Sequence, residues 1–385
     1  MPAYIIGTGI YLPGLPIDND QFETRLGLVG GKASRFRKRV LTANGIEQRY
    51  LALDESGIAT HLNMELAANA MMHALKDAGI DWQQIGKLGV GTTLPDIAPP
   101  GFDVMVHAQV AKQLGQHALE TIACSGVCMS AMKALKACVQ SILLGEIQYA
   151  LVSGSERASM LTRGPRYEQE FIHIKHLMRE IPGYNYFHAD FLRWTLSDGA
   201  GSWVLSDHPK VDAPCFRIDH ITITSYADRT PVCMYGMTNN PHDIRATNIA
   251  YSCANATDAD RGGMVVLRQD HRVLSQYIFD IVAQDARHQI DLGKITDQVD
   301  LFIGHYSSEA LKAGFLEAYH RYDVCLPEAR WYSSLRYRGN VGSASIFVSL
   351  HDAMAEGRLK PGDKILLMVP ESARFSVAYL NLTVC

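Results

Sequence analysis

Three residues in this chain have the types and settings that acyl chemistry needs. In Thr121-Ile122-Ala123-Cys124-Ser125-Gly126 an apolar run ends on a cysteine, and a long helical pattern with little charge begins directly after it. A thiol at a helix N-terminus feels the positive end of the macrodipole. Its pKa falls and the reactive thiolate becomes more available. The small neighbours leave room for a substrate, and the backbone amides of a first helical turn can hold an oxyanion. In Leu301-Phe302-Ile303-Gly304-His305-Tyr306 a histidine closes an apolar strand, where active sites of open α/β sheets gather. A neutral imidazole there can donate a hydrogen bond to a thioester carbonyl. In Arg338-Gly339-Asn340-Val341-Gly342-Ser343-Ala344-Ser345 an asparagine sits in a glycine-rich turn that leads into a helix. Each residue alone has an ordinary alternative: a buried structural cysteine, a satisfied core histidine, a helix cap. Their combination, in this order, makes a Cys-His-Asn constellation.

Cys128 follows Cys124 by one turn on the same predicted helix face and reads as core packing. No further Cys or His stands at metal-ligand spacing from that pair, so no metal is implied there.

The elements that must position these groups alternate short apolar runs with helical patterns. Strands are predicted at Tyr4–Tyr11, Leu88–Thr93, a run closing at Thr121–Ala123, Tyr149–Gly154, Gly199–Ser206, His220–Ser225, Gly263–Leu267, Val299–His305, Lys364–Val369 and Ser376–Val384. Helices are predicted at Asn63–Ala78, Ser125–Leu144, His271–Arg287 and Val341–Glu356. The alternation argues for an α/β protein with largely parallel central sheets. Two segments, Leu161–Trp194 and Tyr226–Asn255, read as loops that cover a pocket.

Composition narrows the classes. With 385 residues, 47% of them hydrophobic, there is material for a large core that divides into units. The net charge of -4 asks for neither nucleic acid nor an anionic membrane as partner. The basic run Lys32-Ala33-Ser34-Arg35-Phe36-Arg37-Lys38-Arg39 is either a solvated helix face or a docking patch for an acidic carrier or a phosphate. No signal peptide or membrane span is legible, and the eight cysteines fit a reduced, cytoplasmic setting.

Together the three motifs resemble β-ketoacyl-acyl carrier protein synthase III within the thiolase superfamily. Gly45-Ile46-Glu47-Gln48-Arg49, Gly91-Thr92-Thr93 and Ser197-Asp198-Gly199-Ala200-Gly201 agree with that family, and the match spans nearly the whole chain. The resemblance implies a thiolase fold: two pseudo-symmetric halves, residues 1–210 with the nucleophile and 211–385 with His and Asn, in five αβαβα layers. It also implies a homodimer and catalysis by Cys124, His305 and Asn340, a chemistry that asks for neither cofactor nor metal. A narrower resemblance rests on the run 26–34, on Asp190-Phe191-Leu192-Arg193-Trp194-Thr195-Leu196 and on Pro370-Glu371-Ser372-Ala373-Arg374-Phe375-Ser376. These are similar to the ketosynthase/cyclase branch that makes dialkylresorcinol and bacterial stilbene precursors. The family's Pro-His-Gln-Ala-Asn motif is here Gly304-His305-Tyr306-Ser307-Ser308, and its C-terminal glycine-rich loop is Glu371-Ser372-Ala373.

The expected reaction follows. A thioester of acyl carrier protein or coenzyme A acylates Cys124. The amides of Cys124 and Ser372 hold the oxyanion, and His305 with Asn340 favours the enolate of a β-ketoacyl partner. Conjugate addition to an unsaturated acyl chain then closes a cyclohexane-1,3-dione ring. Glu156 is the candidate acid or base for ring closure, with Arg336 either holding its carboxylate or engaged in a plain salt bridge. Candidate pocket walls are Leu94, Ile97, Phe102, Trp194 and Phe375. The same triad also serves a plain ketosynthase with a linear product, or an acyltransferase to oxygen or nitrogen. A non-catalytic partner subunit is the alternative from outside enzymes.

Overall fold

The computed structural model describes residues 2–180, 183–238 and 256–385. Pro182 and residues 239–255, the greater part of the second covering loop, lie outside the described residues.

Ten segments carry the main sheet: β1 (Ala3–Tyr11), β2 (Ile85–Thr92), β3 (Glu120–Ser125), β4 (Tyr149–Glu156), β5 (Gly199–Ser206), β6 (Phe216–Ser225), β7 (Leu301–Gly304), β8 (Trp331–Tyr332), β9 (Lys364–Glu371) and β10 (Ser376–Val384). Among the described residues they pair in the order β8-β7-β9-β10-β6-β1-β5-β4-β2-β3. The order is a repeat. Read outward from β1, the partners are antiparallel β5, antiparallel β4, then parallel β2 and β3. Read outward from β6, they are antiparallel β10, antiparallel β9, then parallel β7 and β8. The repeat supports the division we propose near residue 210, in the connection between β5 and β6. It also corrects the expected largely parallel sheets: the strands nearest the middle are antiparallel, because β4 to β5 and β9 to β10 return along the same edge instead of crossing over.

Helices fill three layers. α1 (Asn63–Ala78) and α2 (Phe102–Leu114) cover one face of the first half, where Ala67, Met71, Val106 and Val110 meet Leu88, Val90 and Leu151. α4 (His271–Asp291) and α5 (Lys312–Arg321) cover the second half in the same way, with Ile278, Val282 and Phe315 against Phe302, Leu366 and Tyr379. Between the halves lie α3 (Ser130–Leu143) and α6 (Ser345–Ala355). Met132, Leu135 and Phe347 share one core with strands of both halves. Apolar residues recur at three- and four-residue spacing along α3, at Ala131, Leu135, Cys138 and Ile142, so the helix turns one stripe inward and leaves Lys133 and Gln140 outside. This is the αβαβα arrangement. No helix among the described residues is long and apolar enough to cross a membrane.

Two predicted elements differ. Gly263–Leu267 is a turn that closes on itself through Val266 N–H to Gly263 C=O, and only Arg268–Gln269 is extended. The left-handed φ of +68° at Gly263 starts that turn. The helix expected from Ser125 begins at Ser130, because β3 runs on to Ser125 and Gly126, at φ +139°, opens a turn before the helix.

α3 comes very close to the sheet. A Cβ on Gly91 would lie 2.2 Å from the backbone nitrogen of Ala131. One on Gly154 would lie 2.5 Å from the carbonyl of Ser343. Both obstacles are backbone and cannot rotate away. Gly91→Ala is therefore expected to lower unfolding stability by about 3 kcal/mol, read by urea denaturation; unchanged stability would mean that α3 does not rest on this strand.

Candidate active site

The strand ends converge on one cavity. Its lining includes Thr93 past β2, Cys128 before α3, Glu156 ending β4, Ser307 past β7, Asn340, and Ser372 past β9. An apolar wall of Leu161, Phe191, Leu192, Leu196, Met234 and Leu267 faces them. Much of this wall comes from Leu161–Trp194. That expected covering segment is folded here as short helical turns that include Ser159–Thr162, Phe187–Asp190 and Phe191–Trp194.

Cys128, not Cys124, stands at the entrance of α3. Cys124 lies inside β3, paired with Gly91, and its thiol packs towards Cys138 and the ammonium of Lys133. It does not line the cavity, and the helix-terminus argument made for it does not apply to a residue inside a strand. Burial raises its pKa, with Lys133 acting in the opposite sense. Cys128 reaches the cavity two residues ahead of the helix. Burial pushes this thiol up as well, the Glu156 and Glu371 carboxylates push it further, and its own backbone amide opposes them. The helix N-terminus adds a favourable field for the thiolate. Among the described residues neither the Cys128 amide nor the Ser372 amide donates to a backbone carbonyl. Both are candidate donors to an oxyanion, the Cys128 amide also facing its own thiol.

Asn340 is held from both sides. Its N–H donates to Thr195 C=O at 3.0 Å, and Ser197 N–H donates to its C=O at 2.9 Å. Its side-chain oxygen accepts from Gly342 N–H at 2.9 Å, which leaves the amide NH2 for a ligand. His305 follows β7, and its N–H donates to Met368 C=O of the neighbouring parallel strand at 2.8 Å. Burial alone lowers its pKa to about 4, so the ring is neutral at physiological pH and can donate only one proton at a time.

Glu156 and Arg336 are not partners. The Glu156 carboxylate accepts from Thr93 N–H at 3.0 Å, Thr93 Oγ1 at 2.8 Å and Ser343 N–H at 3.3 Å. Burial raises its pKa to about 7 despite these bonds. Arg336 is more than half exposed and pairs with Glu47 at 2.6 Å. It sits on a short surface helix, and the turn between it and Asn340 carries it away from the cavity. Ser372 Oγ accepts from Gln269 Nε2 at 2.7 Å, a partner absent from the expected set.

None of the five expected wall residues lines the cavity. Trp194 is fully buried against Phe22, and its carbonyl accepts from Asn44 and Arg49. Phe102 belongs to the outer core of the first half and Phe375 to that of the second. Ile97 is exposed. Leu94 packs behind Leu161, Leu192 and Leu267, one layer back from the lining.

Comparisons with known proteins agree with this fold. The family described as "Thiolase, N-terminal domain" matches residues 54–181, and "3-Oxoacyl-[acyl-carrier-protein (ACP)] synthase III C terminal" matches residues 293–370. A β-ketoacyl-[acyl-carrier-protein] synthase III of Paracoccus denitrificans is 25% identical, covering 98% of this chain and 97% of its own. An acetoacetyl-CoA synthase of Streptomyces sp. is 24% identical, covering 94% and 93%. The solved structure of a tetronic acid condensing enzyme superposes with a TM-score of 0.72 at 20% identity, covering 99% of each chain.

The neutral His305 has a measurable consequence. Below pH 6.5 an unfolded chain takes up a proton on this side chain, whereas the folded chain does so only near pH 4. The unfolded state thus binds more protons in that window, and stability is lost as pH falls from about 6.5 to about 4, by roughly 3 kcal/mol. Urea denaturation across this range is expected to show the slope, and His305→Asn to flatten it; equal slopes in both proteins would mean the imidazole is protonated when folded.

Proposed function

Because the chain belongs to the thiolase superfamily, as an acyl-transferring, carbon–carbon bond-forming condensing enzyme of the synthase III type, we propose that it condenses a β-ketoacyl thioester with an α,β-unsaturated acyl group held on Cys128. The product is a cyclohexane-1,3-dione precursor of a dialkylresorcinol or stilbene. The observation that carries this reading is the single cavity in which Cys128, Asn340, Ser372 and Glu156 meet an apolar wall. The wall fits an acyl chain and the polar end fits its thioester.

In the first half-reaction the Cys128 thiolate attacks the thioester carbonyl, and the amides of Cys128 and Ser372 receive the oxyanion. Collapse expels the carrier thiolate and leaves an acyl group on sulfur. In the second, His305 and the Asn340 amide hold the carbonyl of the β-ketoacyl partner, which stabilises the enolate left when the carbon between its two carbonyls gives up a proton to solvent. The enolate carbon attacks the acyl-enzyme and releases Cys128. Conjugate addition within the product closes the ring. Glu156 supports this branch: a carboxyl with its pKa near 7 can both give and take a proton at neutral pH.

Two partners follow. β3 is the outer strand of the sheet, with Glu120, Ala123 and Ser125 exposed. An open edge of this kind invites pairing with a second copy, and the homodimer is the partner we propose for it. Lys32, Arg35, Lys38 and Arg39 are exposed, while Arg37 is turned to Glu23 and to the carbonyl of Asn19. The four exposed cations suit an acidic carrier protein or the phosphates of coenzyme A.

Intact-protein mass spectrometry with acyl carrier proteins tests the nucleophile. A gain of one acyl group is expected in the wild type and in Cys124→Ala, and none in Cys128→Ala; the reverse pattern would return the role to Cys124. Product analysis with β-keto and unsaturated donors together tests the ring. A cyclic dione is expected, and a linear β-ketoacyl product would assign the plain ketosynthase instead. Glu156→Gln is expected to acylate normally and to lose at least about tenfold in cyclised product; unchanged cyclisation removes Glu156 from the mechanism.

A further inference from the structure

Behind the cavity wall, three side chains with metal-ligating atoms face one another. His188 lies in the Phe187–Asp190 turn of the covering segment, and Asp270 and His271 open α4. One ligand atom from each lies within 4.8 Å of the other two. His188 Nε2 stands 3.7 Å from Asp270 Oδ1, too far for a hydrogen bond. The two imidazoles meet edge to face with centroids 5.3 Å apart.

A second observation points to a ligand. His188 is 6% exposed, and its Nε2 is buried with no hydrogen-bond partner among the described residues. His271 Nδ1 is buried and unpartnered in the same way. Buried polar nitrogens are nearly always satisfied, and here two unpartnered ones belong to the same three-residue group. Two imidazoles and one carboxylate form a donor set suited to borderline transition cations, whereas magnesium and calcium prefer all-oxygen shells. Three protein ligands with a position left for water is the pattern of an open zinc site. Asp270 and His271 are only half-buried, so water can reach that fourth position.

We propose that His188, Asp270 and His271 bind one divalent first-row transition cation, with zinc as the physiological case, and that the cation clamps the covering segment to the wall of the catalytic cavity. The clamp spans the two sides of the site. His188 leads into Phe191 and Leu192, which line the cavity. Asp270 follows Gln269, which donates to Ser372 Oγ beside the proposed oxyanion amide. Asp270 already caps α4, its Oδ1 accepting from Arg272 N–H at 2.9 Å, so the carboxylate is fixed before any metal arrives.

The test is a cobalt(II) titration of the chelator-stripped full-length protein, read by visible d–d absorption, with zinc competition. One equivalent is expected to bind to the wild type and to Cys128→Ala. His188→Gln and His271→Gln are each expected to weaken binding by about tenfold or more, since even outer-shell changes at metal sites cost that much. Zinc is expected to raise the melting temperature of the wild type and not of either variant, with circular dichroism confirming that both fold. No cobalt binding to the wild type, or equal binding in both histidine variants, would overturn the site; loss of binding in Cys128→Ala would move the cation to the cysteine.

Discussion

One carboxylate ties the two halves of the molecule together where the chemistry is expected. Glu156 ends β4 of the first half, and it accepts from Thr93 at the end of neighbouring β2 and from the Ser343 amide in the glycine-rich turn of the second half. A buried carboxyl without partners costs several kcal/mol. These donors offset that cost only if the turn at 340–343 stays against the sheet. Gly342, at φ +51°, makes the approach feasible: a Cβ there would lie 2.8 Å from Glu156 Cγ. Ser343 Oγ adds a bond to Gly91 C=O at 3.2 Å. The distance between Asn340 and the entrance of α3 is thus set by buried hydrogen bonds, and a loose interdomain surface has no part in it.

The same constraint explains how much of the site could be read from residue order. Asn340 was legible as a cavity residue because a glycine-flanked turn marks it, whereas His305 follows its apolar strand as expected but is not part of the cavity lining. The cysteine was not. Ser125 and Ser130 are both acceptable helix starts, and the apolar stripe of α3 continues smoothly enough to hide which one is used. The signal that separates them is Gly126, a poor residue for a first helical turn and a good one for the turn before it. Shifting the start by five residues exchanges Cys124 for Cys128 at the helix mouth.

Most of the strands and four of the helices were legible by period, with Asn63–Ala78, Gly199–Ser206 and Ser376–Val384 falling on the expected bounds, whereas the helices Phe102–Leu114 and Lys312–Arg321 were not read. The sense of the strands was not, because parallel and antiparallel neighbours share one alternation and only the path of the connections distinguishes them. Pocket walls were not legible either. Leu192 and Trp194 lie two residues apart in one turn, yet Leu192 lines the cavity while Trp194 is locked into the core by the hydrogen bonds to its carbonyl. Hydrophobicity marks both residues, and only tertiary packing separates them.

Burial acts in the same direction on every ionisable group of the site. It holds His305 neutral, raises Glu156 to about 7 and keeps the Cys128 thiol protonated at rest. A resting site with little charge is easier to bury under an acyl chain. Charge then has to appear during the reaction, first on sulfur and next on the carbonyl oxygen, and the fixed dipoles must stabilise it there: the N-terminus of α3, and the amides of Cys128, Ser372 and Asn340. Such dipoles need no reorganisation at the moment of attack, and they act most strongly where water is absent. The replacement of glycine by Glu371-Ser372-Ala373 fits this logic. The donor is a backbone N–H, so what the loop has to preserve is its path. The Glu371 carboxylate maintains that path by accepting from the amides of Ala373 and Arg374.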